Sequence, residues 1–469
     1  MAFWDDIRKR GSSIALTTGE GEVLTYASLA DAADELERHL DAQSIGRPLA
    51  FLLAENCPEA VAAYLACLRS GTAVAMQPSR IHAHLLASLI ATYDPKFVIL
   101  PRERASEVPS GNPRWSGGRY VLLETPAAPC AIDEQTALLV STSGSTGSPK
   151  LVRQSYRNLA ANAASIAEYL GITTADRPIT TLPMSYVYGL SVINSHLSRG
   201  ATVVLTEHSI AEKEFWNILR NEAATSLAGV PYTYEMLKRL RFSRMDLPSL
   251  RVLTQAGGRL GPELVTEYAT LCRDAGRMFF VMYGAAEATA RMSYLPPDRA
   301  LEKPSSIGAP IPGGEMWIES ETGQRLEGPD VVGELVYRGE NVSLGYAICR
   351  QDLARGDDRQ GVLRTGDLAR RDQDGYYYVV GRKSRFIKVF GNRVNLDELE
   401  QHIRAQGIEC VCGGQDDKLR VFLVDATRTD TVLRFVEQLT GLHRSGFEVK
   451  VIDAIPRNES GKVNYASLS

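Results

Sequence analysis

The run Ser141-Thr-Ser-Gly-Ser-Thr-Gly-Ser-Pro-Lys150 constrains this chain more than any other stretch of it. Glycines at 144 and 147 let backbone N–H groups close on an anion, the hydroxyls of Thr142, Ser143, Ser145 and Thr146 add donors, and Lys150 brings a point charge. Such a loop is a socket for polyphosphate only where rigid elements hold its ends. The apolar run Thr136 to Val140 reads as a strand, and Tyr156 to Leu170 as a helix capped by Ser155 and closed by Gly171. The lysine follows proline and precedes Leu151, so this is not the P-loop, whose lysine follows glycine and precedes Ser or Thr. Taken alone, the run has the composition of a flexible linker. Its neighbours along the chain decide otherwise.

Apolar β-rich runs alternate with Ala/Leu-rich helical stretches: Pro48 to Ala54, then Pro58 to Ser70, then Thr72 to Met76. Ala201 to Thr206, Ser226 to Val230, Leu250 to Leu253 and Met278 to Met282 continue the strands, which predicts α/β layers. From Pro304 to about Val380, short strands broken by Gly and Pro predict a smaller β subdomain. The Gly/Pro density between 107 and 118 reads as a surface loop. After Gly381 comes the basic segment Arg382-Lys-Ser-Arg385, then a tail, Phe386 to Ser469, with the order β, α, β, α, β. The organisation expected is a large domain over 1–381, a hinge over 382–385 and a small lid over 386–469.

A chain of 469 residues, 44% hydrophobic and 23% charged, can bury large cores. Its formal net charge of −4 gives no electrostatic reason to expect nucleic acid or an anionic membrane as partner. Asp5 and Asp6 interrupt the N-terminus before any signal-like apolar core, and no apolar run reaches spanning length, so a cytoplasmic location is expected. Seven scattered cysteines predict reduced thiols rather than a disulfide framework. Cys410/Cys412 and His82/His84 each lack a second pair, so no metal site is read there.

Five further segments follow in order: Leu182-Pro-Met-Ser-Tyr-Val-Tyr-Gly189; Tyr283-Gly-Ala-Ala-Glu287; Gly333-Glu-Leu-Val-Tyr-Arg-Gly339; Arg364-Thr-Gly-Asp-Leu368 with Gly381-Arg-Lys383; and Pro456-Arg-Asn-Glu-Ser-Gly-Lys462. With the Ser141–Lys150 run and Leu24-Thr-Tyr-Ala-Ser-Leu29, they resemble the adenylate-forming superfamily of acyl-CoA synthetases, peptide-synthetase adenylation domains and beetle luciferases. The resemblance covers essentially the whole chain. It implies a large N-terminal domain of layered α/β subdomains plus a small β subdomain, and a small mobile α+β lid. It also implies that a carboxylate attacks the α-phosphate of ATP, pyrophosphate leaves, and a thiol takes the acyl group. Negative charges meet in that reaction, so cations and aligned donors must offset their repulsion.

By the same resemblance, Lys462 bridges carboxylate and phosphate oxygens in the adenylation transition state, Lys150 belongs to the phosphate loop, and Glu287 holds Mg²⁺ against the phosphates. Asp367 takes the ribose hydroxyls and Arg382 meets the same sugar. Tyr283 stacks on adenine beside Gly284 and Ala285, while Gly257 and Gly258 let backbone approach the base. Ser384 stands at the hinge position, and Lys388 and Gly391 fall in the loop used for the second half-reaction. Two departures mark this sequence. Ala286 replaces the usual threonine, a lost hydrogen bond of roughly 1.5–3 kcal/mol unless Thr289 or a water substitutes. Ser185 and Tyr186 stand where a histidine is usual. Tyr186, Tyr188 and Tyr232 read equally as pocket wall or packed core.

The leading expectation is an ATP-dependent, AMP-forming ligase with Mg²⁺, a carboxylic acid and a thiol acceptor, either coenzyme A or the phosphopantetheine of a discrete carrier protein. The acid, whether aryl, fatty or amino, is open. Ala286 and Tyr186 motivate an alternative, a repurposed adenylating enzyme of secondary metabolism acting on a small oxyanion such as nitrite, with a diazo product. A degenerate nucleotide-binding module without turnover is the third reading, opposed by Lys150, Glu287, Asp367, Arg382 and Lys462.

Overall fold

Leu49–Ala54, Ala73–Pro78, Phe97–Pro101 and Thr136–Ser141 are apolar at nearly every position, as strands covered on both faces must be, and they pair in parallel inside an eight-stranded sheet. The computed structural model describes residues 3–40, 47–128, 130–141, 150–390, 392–415, 417–457 and 463–468. These fall into two compact units, Met1–Glu315 with Arg338–Leu363, and Met316–Tyr337 with Arg364–Ser469.

In the first unit, Leu151–Ser155 returns antiparallel against Thr136–Ser141, and Gly345–Ala347 pairs with its other side. The Ser141–Lys150 run therefore joins two antiparallel neighbours and does not feed a helix N-terminus, a further difference from the P-loop. At the opposite edge, Asn112–Gly117 pairs with Tyr120–Glu124, so the expected surface loop is in good part a strand. An edge position tolerates Pro113, because a missing N–H there leaves no ladder partner unsatisfied.

A second, nine-stranded sheet has a parallel centre in the order Val203–Leu205, Pro178–Ile179, Ser226–Gly229, Val252–Gln255, Met278–Tyr283. Helices Tyr26–Leu40, Pro58–Ser70, Tyr156–Tyr169 and Val187–Arg199 contribute to one continuous core with both sheets, joining Leu52, Val74 and Val140 to Leu16, Val203 and Leu205. Pro58–Ser70 is buried almost all round, which explains its near-absence of polar residues. Ser155 caps its helix as the sequence implies: its hydroxyl accepts from the Asn158 N–H at 3.1 Å, and the Asn158 side chain accepts from the Ser155 N–H at 2.7 Å.

The second unit contains a four-stranded sheet of Glu315–Glu319, Gly333–Arg338, Val362–Arg371 and Tyr377–Arg382. Beyond it come helices Leu396–Arg404 and Thr429–Thr440 with a three-stranded sheet, around a core that includes Ile387, Ile403, Val421 and Val436. Two of the tail's expected single strands are antiparallel pairs, Phe386–Val389 with Asn392–Asn395 and Cys410–Gln415 with Lys418–Leu423. The breaks between them are too short for a hydropathy pattern to separate. The architecture is mixed α/β, with a large N-terminal part of layered sheets and a small C-terminal part.

Candidate active site

Strand pairing of Gly345–Ala347 with Leu151–Ser155 brings Tyr346 beside Lys150. The Lys150 Nζ lies 4.0 Å from the centroid of the Tyr346 ring, and the Arg359 guanidinium carbon lies 4.8 Å from the same centroid. The Tyr346 hydroxyl donates to Glu287 Oε1 at 2.6 Å. Burial, and then the Glu287 carboxylate, push that phenol up to about 12. Two cations and one carboxylate thus converge on a single ring at the exit of the hydroxyl-rich loop.

The short turn Ala286–Ala288 that carries Glu287 is latched from several sides. Gln154 donates to the Ala286 carbonyl at 2.9 Å, the Asn341 side chain donates to the carbonyls of Ala288 at 2.9 Å and Arg291 at 2.8 Å, and Asn162 donates to that of Arg291 at 3.1 Å. Arg359 Nη1 reaches the Glu287 carbonyl at 3.5 Å. Thr289 holds a φ of 64°, a conformation that costs a β-branched residue roughly 1–3 kcal/mol and persists only where surroundings over-determine it. Its hydroxyl donates to the Asn341 carbonyl at 2.7 Å, so that proton is committed and does not stand in for the hydroxyl missing at Ala286. Gly284 is obligatory, because a Cβ there would lie 1.7 Å from the Ala290 carbonyl oxygen. Tyr283 ends its strand half-buried, and Ala285 follows in extended conformation.

Gly257 has a φ of +82°, and a Cβ on it would lie 2.6 Å from the Tyr186 hydroxyl; at Gly258 it would meet Pro231 at 3.1 Å. Tyr186 thus covers the glycine turn, and burial pushes its phenol up to about 12. Tyr188 is packed core, its hydroxyl 2.8 Å from the Thr254 carbonyl. Tyr232 is 45% exposed on the first turn of helix Pro231–Arg239.

In the second unit, Asp367 and Arg382 are cross-strand neighbours, and Arg382 Nε donates to Asp367 Oδ1 at 2.9 Å. The structure therefore joins the two residues that the sequence assigns to one sugar. Ser384 lies in the turn Lys383–Arg385, and Lys388 lies on strand Phe386–Val389. Arg385 is clamped by Asp397 at 2.7 Å and by Glu400, and its guanidinium lies 3.9 Å from the centroid of the Tyr465 ring, which ties the C-terminal segment to the turn. Thr142, Ser143, Gly144, Ser145, Thr146, Gly147, Gly391 and Lys462 lie outside the described residues.

Tyr346, Arg359, Gln154 and Asn341 carry no local signal in the sequence. Only strand pairing and burial reveal them. Among the described residues no group of three or more His, Cys, Asp or Glu could hold a metal.

The mixed α/β fold, with its large N-terminal part and small C-terminal part, is that of the adenylate-forming enzymes. Residues 3–347 match the AMP-binding enzyme family, and the chain belongs to it. It is 30% identical to an indoleacetate–CoA ligase of Aromatoleum aromaticum, over 94% of this chain and 91% of that protein. It is 28% identical to a 2-succinylbenzoate–CoA ligase of Bacillus subtilis, over 95% of this chain and 92% of that one. The solved O-succinylbenzoate coenzyme A synthetase of Bacillus subtilis, in complex with AMP, superposes with a TM-score of 0.80 at 25% identity, covering 100% of this chain and 98% of that one. The protein is an ATP-dependent, AMP-forming acid–thiol ligase of the acyl-CoA synthetase type. Its class uses ATP with Mg²⁺ and a thiol acceptor.

Proposed function

We propose that this ligase activates an aryl or arylalkyl carboxylic acid and hands it to coenzyme A. The observation that carries the reading is the convergence of Lys150, Arg359 and Glu287 on Tyr346. The indoleacetate, 2-succinylbenzoate and feruloyl–CoA enzymes it resembles motivate the acid class and the acceptor. In the first step a carboxylate oxygen bonds to the α-phosphorus of ATP while the bond to pyrophosphate breaks. Lys150, the hydroxyls and N–H groups of residues 142–147, and Lys462 offset the approaching negative charges. Glu287 would hold Mg²⁺ through its remaining oxygen, and the ion would neutralise phosphate charge. Asp367 and Arg382 take the ribose, and Tyr283, Gly284, Ala285, Gly257 and Gly258 receive the base.

In the second step the thiol sulfur bonds to the acyl carbon and AMP leaves. Ser384 serves as hinge between residues 1–381 and the lid 386–469, and Lys388 and Gly391 serve this half-reaction. Tyr186 borders the acid, with Tyr232 at its margin. A discrete carrier protein is the alternative acceptor. A cytoplasmic location fits the seven free cysteines, and no helix among the described residues is long and apolar enough to cross a membrane.

ATP–pyrophosphate exchange over a panel of aryl, fatty and amino acids tests the acid class, and mass spectrometry with coenzyme A tests the acceptor. Exchange with aryl acids and a coenzyme A thioester are expected. Exchange confined to amino acids would overturn the acid class. ATP-dependent diazo formation from nitrite and an arylamine, without acid-dependent exchange, would favour the oxyanion reading.

A further inference from the structure

The segment Arg355-Gly-Asp-Asp-Arg-Gln360 holds two arginines and two aspartates, and its two arginines are answered differently. Asp358 pairs with Arg355 at 2.9 Å and with fully buried Arg153 at 2.7 Å. Asp357 Oδ1 accepts the backbone N–H groups of Arg359 at 2.9 Å and of Gln360 at 2.8 Å, which fixes the turn from which the Arg359 side chain leaves. Both acids of the segment are thus engaged elsewhere. Among the described residues, the Arg359 guanidinium has no carboxylate within ion-pair distance. It reaches the Glu287 carbonyl at 3.5 Å, the phenol oxygen of Tyr346, and the ring of Tyr346 at 4.8 Å. A guanidinium carries five N–H donors in a planar fork, so these contacts leave part of the fork uncommitted.

Lys150 stands in the same condition. Its Nζ lies 4.0 Å from the centroid of the same ring, and among the described residues no carboxylate lies within ion-pair distance of it. A π-face attracts a cation but does not neutralise it. The carboxylate facing this ring, Glu287, accepts from the Tyr346 hydroxyl through Oε1 rather than from either cation. Two like charges are therefore gathered against one ring with a single carboxylate near them, an arrangement that an added anion would relieve. The shape of the donors says which anion: an arginine fork takes two oxygens of one phosphate, while a lysine adds a point charge beside it.

We infer that Arg359 is a phosphate-binding residue of this site, paired with Lys150 across Tyr346, and that it holds the pyrophosphate portion of ATP. The inference rests on the ligase reading and adds to it a cation from outside the motif series. When the carboxylate oxygen bonds to the α-phosphorus, the bond to the bridging oxygen breaks and its electron pair stays on the departing pyrophosphate. Arg359 donates N–H groups to that growing charge and keeps its protons throughout.

The test uses the full-length chain and its R359Q and R359K variants in ATP–pyrophosphate exchange with an acid that wild type activates, reading KM for pyrophosphate, KM for ATP and the inhibition constant of AMP. In R359Q both KM values are expected to rise by about 10-fold or more, the scale of a lost charged hydrogen bond, while inhibition by AMP, which lacks the pyrophosphate, stays as in wild type. R359K is expected to recover part of the loss. An unchanged KM for pyrophosphate in R359Q would overturn the inference, and so would AMP inhibition weakening in step with it, since the guanidinium would then only shape the Glu287 turn. Absence of exchange with every acid tried would instead sink the ligase reading. In that event calorimetry of wild type and R359Q with MgATP and with AMP decides the phosphate site: weaker MgATP binding with AMP unaffected supports it, and equal weakening of both, or no MgATP binding by wild type, overturns it.

Discussion

The turn that carries Glu287 and the turn that carries Ser384 are built in opposite ways. Around Glu287, buried amides take the carbonyls of Ala286, Ala288 and Arg291, Thr289 is held at positive φ, and Gly284 has no room for a Cβ. Around Ser384, the flanking cations reach outward. The Arg382 side chain is 65% exposed although it pairs with buried Asp367, and Lys383 pairs with Glu334 while 41% exposed. The buried clamp begins only at Arg385. A carboxylate that must meet charge in a fixed direction needs pre-organisation, whereas a hinge needs a backbone free to change φ and ψ. The contrast therefore supports the roles proposed for each.

The comparison breaks most visibly at Gly284. Gly284→Ala forces its Cβ into the Ala290 carbonyl, so adenylation should fall by more than about 100-fold, with a loss of roughly 1–3 kcal/mol in denaturant unfolding. Full activity in this variant would mean that the turn gives way easily. Gln154→Leu removes one latch and is expected to cost about 1–3 kcal/mol, lowering kcat for exchange while KM for ATP holds.

His196 sharpens the rigid side. Burial pulls its imidazole down to about 4 from 6.5, while Nδ1 stays 2.8 Å from the Val192 carbonyl. Below 6.5 the unfolded chain binds a proton that the folded one refuses, so stability should fall as pH drops from 6.5 toward 4, by on the order of 2–3 kcal/mol. Urea titrations of wild type and His196→Gln check this; parallel pH profiles would contradict it. The smallest effect belongs to the Ser384 side. Arg382→Ala should move stability by less than about 1 kcal/mol, because the guanidinium stands in water, yet raise KM for ATP.

Much of this site was legible because its motifs are local. Ser155 announces its helix by a capping residue, and Asp367 and Arg382 lie on neighbouring strands of one antiparallel pair. Glu287 and Lys150 followed from the motif series. Tyr346 and Arg359 were not legible, since an aromatic and an arginine in a β-rich stretch look the same whether or not pairing carries them to Lys150. The strand Asn112–Gly117 hid behind Gly and Pro, residues that signal a loop until an edge position excuses them.

Glu287, held by its latched turn and the Tyr346 hydroxyl, is proposed to act on the phosphates during adenylation. Single-turnover acyl-adenylate formation by Glu287→Gln, with an acid that wild type activates, tests it most directly. The expected result is a loss on the order of 100-fold in rate with an unchanged melting temperature. Formation at the wild-type rate would contradict it.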